Sequence, residues 1–408
     1  MLDTPKSLRL QIGIFGRINV GKSSFLNMVS GQDVSITSSV PGTTTDIVEK
    51  TMELLPVGPV VFLDTAGFDD KTELGEARLQ KTHKIFNRAD IVILVVEPNV
   101  WTSYEEEIIA EVEKRKIAFI VVINKIDTCQ PDVDFIGKIR KYTDKIILCS
   151  SAKLEKGKRD EYVDALKKNI LSLMANIAGH PQFIIGDLIK KDDFVILVIP
   201  IDIEAPKGRI ILPQVQVIRD VLDSNATAII VKESEYEATL KNLKNPPKIV
   251  VCDSQVVDKI DKWTPKNIQL TTFSTLFSRY KGDFAEMIKG AKTIKSLKPG
   301  DKVLIAEACS HHAMEDDIGR VKIPKWFRNY LGFDLQFDVC AGRDYPDEKK
   351  IKDYKLVVAC GSCMITRTET LSRIDIARNQ GVPITNYGVC ISFLLGVLDR
   401  VIEPFGII

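Results

Sequence analysis

No stretch of the 408-residue chain is apolar for long enough to cross a membrane as a helix. The longest apolar runs, Ile91–Val96, Phe194–Ile201 and Val389–Leu398, fall well short of the ~18–20 residues a span requires. The opening MLDTPKSLRL lacks the apolar segment of a secretory signal, so a cytoplasmic protein is expected. Net charge is scarce too: 56 Lys and Arg against 55 Asp and Glu leave +1. So even a balance gives no bulk electrostatic reason to bind nucleic acid or an anionic membrane, and neither is expected as a partner. Apolar residues at 45% and charged residues at 27% exclude disorder, collagen-like repeats and coiled coil. In a reducing compartment the eight cysteines suit buried packing, metal ligation or redox chemistry better than structural disulfides. The length exceeds one ordinary core, and three domains are expected.

What is present begins at Leu8. The run LRLQIGIF is apolar and β-prone, Gly16–Ser23 reads GRINVGKS, and SFLNMVSG has helical periodicity closing on Gly31. Strand, Gly-rich loop and helix at this spacing form a P-loop, in which backbone N–H groups cradle phosphates. Gly16, Asn19, Val20, Gly21, Lys22, Ser23 and Ser24 are the expected nucleotide contacts; Lys22 reaches the β/γ oxygens and the Ser23 hydroxyl takes a Mg²⁺ position. Val60–Leu63 is a short buried strand leading into Asp64-Thr-Ala-Gly67, where Asp64 can hold Mg²⁺ through water and the Gly67 amide can face a γ-phosphate. Phe119–Ile123 is a strand ending in Asn124-Lys125-Ile126-Asp127, whose last carboxylate suits the two N–H donors of guanine, a pair that adenine lacks. Lys145–Leu148 leads into Cys149-Ser-Ser151-Ala152-Lys153, a loop able to close over the base. Four such loops in order place a ligand at the carboxyl ends of a parallel sheet.

From Leu8 to Met174 the chain resembles the TrmE/Era-like branch of the translation-factor-related small GTPases. The likeness rests on GRINVGKS, PGTTTD at 41–46, DTAG, NKID and SSAK. It implies GTP as substrate and GDP as product, with Thr44 as the switch threonine that closes on Mg²⁺ and the γ-phosphate. Lys22, Thr44, Asp64 and Gly67 are then the catalytic set. Many GTPases carry a Gln after DTAG to orient water; this chain has Phe68, so slow intrinsic hydrolysis is expected. TrmE-like proteins use an Asn at the position of Asn19 to ligate K⁺, which implies K⁺-stimulated turnover.

A boundary is expected at Gly179-His-Pro181. Beyond it, strands at Phe194–Ile203, Thr227–Val231 and Lys248–Cys252 alternate with helices at about 213–223, 234–243 and 256–263, a second small α/β unit. It contains no phosphate loop. The broad apolar face of KGRIILPQVQVIRDVL can serve an internal core or a dimer contact. The domains are drawn at 1–174, 180–265 and 267–408. In the last, strand Ile268–Thr272 and helical 284–296 precede strand Lys302–Ile305, which runs out at Glu307-Ala-Cys309-Ser-His311-His312, while strand Leu356–Ala359 ends in Cys360-Gly-Ser-Cys363. Both polar clusters sit where strands stop, the usual place for ligands in such sheets. A thioredoxin-like redox pair, a Cys₃His zinc site and an iron–sulfur cluster on three thiolates compete for these residues. Cys129, Cys149, Cys252, Cys340 and Cys390 are read as core or incidental.

Taken whole, the chain resembles the HydF family of [FeFe]-hydrogenase maturation GTPases, which join a TrmE-like GTPase, a dimerisation domain and a domain marked by C-x-H and, some fifty residues on, H-C-x-x-C. Cys309-Ser-His311 and Cys360-Gly-Ser-Cys363 match that signature, with Ala359 where the family usually has His. The resemblance implies a homodimer or higher oligomer that holds a [4Fe–4S] cluster by Cys309, Cys360 and Cys363. It also implies assembly of a transient diiron precursor with two radical-SAM partners and its transfer to apo-[FeFe]-hydrogenase. The fourth cluster ligand is open among Glu307, His311, His312, water or a group from the incoming complex. The competing reading is an Era/TrmE-like GTPase acting on RNA or ribosomes with a zinc-stabilised C-terminal domain.

Overall fold

A computed structural model describes residues 5–31, 48–64, 82–152, 157–176, 183–201, 210–308, 317–342 and 344–406. Two compact units divide the chain, Met1–Gly179 and His180–Ile408.

In the first unit, β1 (Leu10–Phe15), β2 (Val48–Leu54), β3 (Gly58–Asp64), β4 (Ile91–Val96), β5 (Ala118–Ile123) and β6 (Ile146–Leu148) form one sheet in the order β2-β3-β1-β4-β5-β6. Only β2 is antiparallel to its neighbour. The inner strands are apolar throughout because helices cover both faces, as buried parallel strands require. Every residue of β4 is buried. Separate clusters pack the faces: Phe25, Leu26 and Leu166 on one, Phe86, Ile109 and Ile139 on the other.

The second unit contains two parallel sheets. β7 (Phe194–Val198), β8 (Thr227–Val231), β9 (Ile249–Cys252) and β10 (Gln269–Thr272) are ordered β10-β9-β7-β8; β11 (Lys302–Ala306), β12 (Gln336–Cys340), β13 (Leu356–Ala359) and β14 (Ile384–Asn386) are ordered β12-β11-β13-β14. The sequence placed the strand at 268–272 with the C-terminal domain. It pairs instead with β9, Leu270 beside Val250, and so completes the preceding sheet. Pairing partners are a long-range property that a local apolar pattern cannot specify. Likewise β7 ends at Val198 rather than running to 203.

Helix Phe273–Lys281 leaves β10 and packs against both helices 367–379 and 387–394 of the last sheet. Ser274 Oγ accepts from the Gly388 amide at 3.1 Å, and its carbonyl accepts from Asn386 Nδ2. In return, Val401 near the C-terminus enters the core under β7 and β9, and the Arg400 guanidinium donates to the carbonyls of Pro265, Lys266 and Ile268. Gly290 lets helix 284–292 lie on β14, since a Cβ there would stand 2.0 Å from the Ile384 carbonyl oxygen.

Candidate functional site

The P-loop joins β1 to the helix Lys22–Ser30. Gly16 and Gly21 take φ of 152° and 95°, and Asn19 takes 65°, positive-φ backbone that lets the loop turn tightly between strand and helix. Lys22 is buried and curls back over the loop, its Nζ donating to the carbonyls of Gly16 at 2.7 Å and Arg17 at 3.0 Å. Neighbouring elements pin the loop from outside. The Gly16 amide donates to Tyr104 Oη at 3.3 Å, and Arg17 Nε donates to Glu105 Oε1 at 2.7 Å. Glu105 is fully buried and also caps its own helix through Thr102.

Asn124 is the junction of the site. It is 1% exposed; its Nδ2 donates to the Val20 carbonyl at 2.9 Å, while its Oδ1 accepts from the Ser151 amide at 3.0 Å. One side chain thus ties the P-loop to the loops that follow β5 and β6. A Cβ on Gly21 would meet Asn124 Nδ2 at 2.3 Å, so only glycine fits there. Asp127 is exposed at the rim, and its Oδ1 accepts from Ser150 Oγ at 2.6 Å. Lys125, at φ 64°, pairs with Glu97 at 2.5 Å. Ser23 and Ala152 are exposed and Ser24 half-buried, while Asp64 is buried at the end of β3. Thr44, Gly67 and Lys153 lie outside the described residues, as does Phe68.

The second cluster stands at the carboxyl ends of β11 and β13. The Cys360 amide donates to the Ala306 carbonyl, and the Ala308 amide donates to Cys360 Sγ at 3.0 Å. That bond sets the Cys360 sulfur against the chain immediately before Cys309, which with His311 and His312 lies outside the described residues. Burial raises the Cys360 thiol, against the pull of the Ser362 and Ala308 amides; Cys363 is likewise raised by burial and then by Cys360, with Lys281 opposing. Glu307 is 2% exposed, and both its carboxylate oxygens accept from Arg320, at 3.2 and 2.8 Å. Under the loop itself lies Lys281, donating to the carbonyls of Ser362, Cys363 and Ile365. Burial pulls its pKa down to about 8 while Cys363, Cys360 and Glu369 act to raise it.

Among the described residues no three His, Cys, Asp or Glu groups converge on one point. The donors that are described still fit an iron–sulfur group: two thiols on one loop, sulfur-directed amide donation and a buried cation beside them are the surroundings in which thiolates are held. Reading the sequence missed Lys281, Arg320, Tyr104 and Glu105. For Lys281 a signal existed, because Phe273, Phe277 and Lys281 follow at four-residue spacing and share one helix face. Of the five remaining cysteines, Cys149, Cys252 and Cys390 are buried, Cys340 is half-buried and Cys129 is exposed.

The model of the Hydrogen maturase F dimerization domain matches residues 184–282, and that of the Hydrogen maturase F tetramerization domain matches 285–404. Together they account for more than half of the chain. This chain belongs to the hydrogen maturase F family. Its residues 11–125 match a domain described as 50S ribosome-binding GTPase. Curated relatives of this member of the family include GTPase Der of Wolinella succinogenes, 31% identical over 180 residues, 43% of this chain and 38% of the relative. The tRNA modification GTPase MnmE of a Cyanothece species is 42% identical over 122 residues, 29% of this chain and 25% of the relative. The chain therefore spans well under half the length of these curated relatives. Among solved structures, Era of Aquifex aeolicus bound to GDP and aluminium fluoride is 23% identical, with a TM-score of 0.33 over 54% of this chain and 92% of that one. Among the described residues no helix is long and apolar enough to cross a membrane.

Proposed function

We propose that this hydrogen maturase F chain hydrolyses GTP and serves as a scaffold and carrier for the diiron precursor of [FeFe]-hydrogenase. The observation that carries the reading is the cysteine loop at the end of β13, held by Lys281 and facing the chain before Cys309, inside the family's own C-terminal domain. Ser23, Thr44 and Asp64 would hold Mg²⁺, which neutralises charge between the β- and γ-phosphates, and Asn19 would hold K⁺ beside them. The protein's part in hydrolysis is positioning and charge neutralisation. Lys22, now bonded to two loop carbonyls, turns to the phosphate oxygens, while Asn124 keeps the phosphate and base loops in register and Asp127 reads guanine.

Cys309, Cys360 and Cys363 would hold a [4Fe–4S] cluster, whose iron without thiolate offers an exchangeable position to an incoming metal complex. Glu307 can supply that fourth ligand only by giving up part of its pairing with Arg320; His311 and His312 are the other candidates. The domains are proposed to act as an oligomer, with radical-SAM maturases and the apo-hydrogenase as partners in the cytoplasm.

Anaerobic reconstitution of the full chain with iron and sulfide tests this. About four irons per chain with an EPR signal on reduction, lost on replacing Cys360 or Cys363 by serine, are expected. A single tightly held zinc in place of iron would refute the reading and favour a zinc-stabilised GTPase.

A further inference from the structure

Lys281 ends the helix Phe273–Lys281 and is only 2% exposed. Its Nζ donates to the carbonyls of Ile365 at 2.8 Å, Ser362 at 3.0 Å and Cys363 at 3.5 Å. An ammonium has three donors and no acceptor, so these bonds occupy the whole group. Among the described residues no carboxylate pairs with it. A buried cation without an anionic partner is expensive. All three of its acceptors are carbonyls of the loop that begins at Cys360 and carries Cys363. The Phe277 ring, 5.9 Å from Nζ, closes the other side.

The loop needs such a hold. Ser362 sits at φ 55°, left-handed backbone that a residue with a Cβ adopts at a cost. Lysine bonds to the carbonyls of Ser362, Cys363 and Ile365 span that turn and hold it. The lysine also belongs to the stretch matched by the dimerization domain, whereas the cysteines belong to the tetramerization domain, so the bonds tie one domain's last helix to the other's metal loop.

We propose that Lys281 is a positioning residue for the cluster: it holds the main chain between Cys360 and Ile365 in one shape and sets a positive charge beside the two thiolates. The inference rests on the reading that these cysteines ligate iron. Three thiolates make the ligand set anionic, and each added electron increases that charge. A cation fixed next to it favours the reduced state, whereas a neutral side chain of equal length keeps the packing and loses that effect.

The test uses the full chain with Lys281→Met and Lys281→Arg. In the metal-free protein, hydrogen exchange of the amides at 361–366 is expected to quicken at least tenfold in Lys281→Met, with β11 and β13 unchanged. After reconstitution, the midpoint potential read by EPR titration is expected to move negative in Lys281→Met and to return toward the wild-type value in Lys281→Arg. Wild-type exchange in the loop of Lys281→Met overturns the positioning role, and equal potentials in all three proteins overturn the electrostatic one. Should Lys281→Met lose its native circular dichroism, Lys281→Gln, which keeps two donors without the charge, takes its place. Failure of the wild-type protein to take up iron sinks the cluster reading alone, because loop exchange in metal-free protein still decides whether Lys281 positions the loop.

Discussion

Replacing Asn124 by alanine should weaken nucleotide binding out of proportion to its distance from any phosphate. The substitution removes the donor to the Val20 carbonyl and the acceptor of the Ser151 amide, both in buried surroundings. A buried main-chain group left without a partner costs about 1–3 kcal/mol, so two cost about 2–6 kcal/mol. The free protein can relieve that cost by letting the two loops drift apart, and binding must then bring them back. If only about 2 kcal/mol falls on the bound state, GDP affinity drops about thirtyfold, since each 1.4 kcal/mol is tenfold. Titration of the full chain with a fluorescent GDP in Mg²⁺ buffer measures this, with circular dichroism to show that the fold persists. A dissociation constant within threefold of wild type would refute the view that Asn124 holds the site together.

If Asp127 reads guanine as proposed, Asp127→Asn exchanges an acceptor of two N–H groups for a side chain that can donate, and each charged hydrogen bond is worth about 1.5–3 kcal/mol. GTP binding should fall by about 100-fold or more while xanthosine triphosphate gains; unchanged GTP preference in a competition assay would remove Asp127 from the base site. Burial pushes the Cys149 thiol up to about 12. Its contribution to stability is therefore complete below the unfolded value near ~8.5 and is lost at about 1.4 kcal/mol per pH unit as pH climbs from there toward the folded value. Urea midpoints compared at pH 8 and pH 10 should show a smaller drop for Cys149→Ala than for wild type, and equal drops would contradict the assignment. GTP turnover should be faster in K⁺ than in Na⁺ at matched ionic strength, and equal rates would exclude Asn19 as a K⁺ ligand. Partner binding should differ among GTP, GDP and nucleotide-free protein, because hydrolysis can gate an interaction only through a difference in affinity between states; equal affinities would exclude gating.

The nucleotide motifs were legible because their chemistry is local. A strand, a loop of fixed length and a helix start lie within some twenty residues at Leu10–Ser30, and the apolar stretches of β4, β5 and β13 announce strands buried on both faces. β12 escaped notice for the opposite reason: QFDVC is an edge strand with largely exposed side chains, so it carries no apolar run. The apolar pattern at 268–272 shows a strand but not its partner, since Gln269–Thr272 reads the same whichever neighbour it pairs with; drawn with the last domain, it pairs with β9.

From residue types and spacing alone came a guanine-nucleotide site, two further α/β segments and a pair of cysteine clusters at strand ends. Only the tertiary structure decided what surrounds them. It joined Asn124 to both Val20 and Ser151 across 104 and 27 residues, paired Glu307 with Arg320, and placed a lysine 81 residues before Ser362 beneath the loop of Cys360 and Cys363. Such contacts depend on how helices cross sheets, where separation along the chain carries no information about distance in space, and they are what turn reactive residue types into a site with a fixed shape and charge.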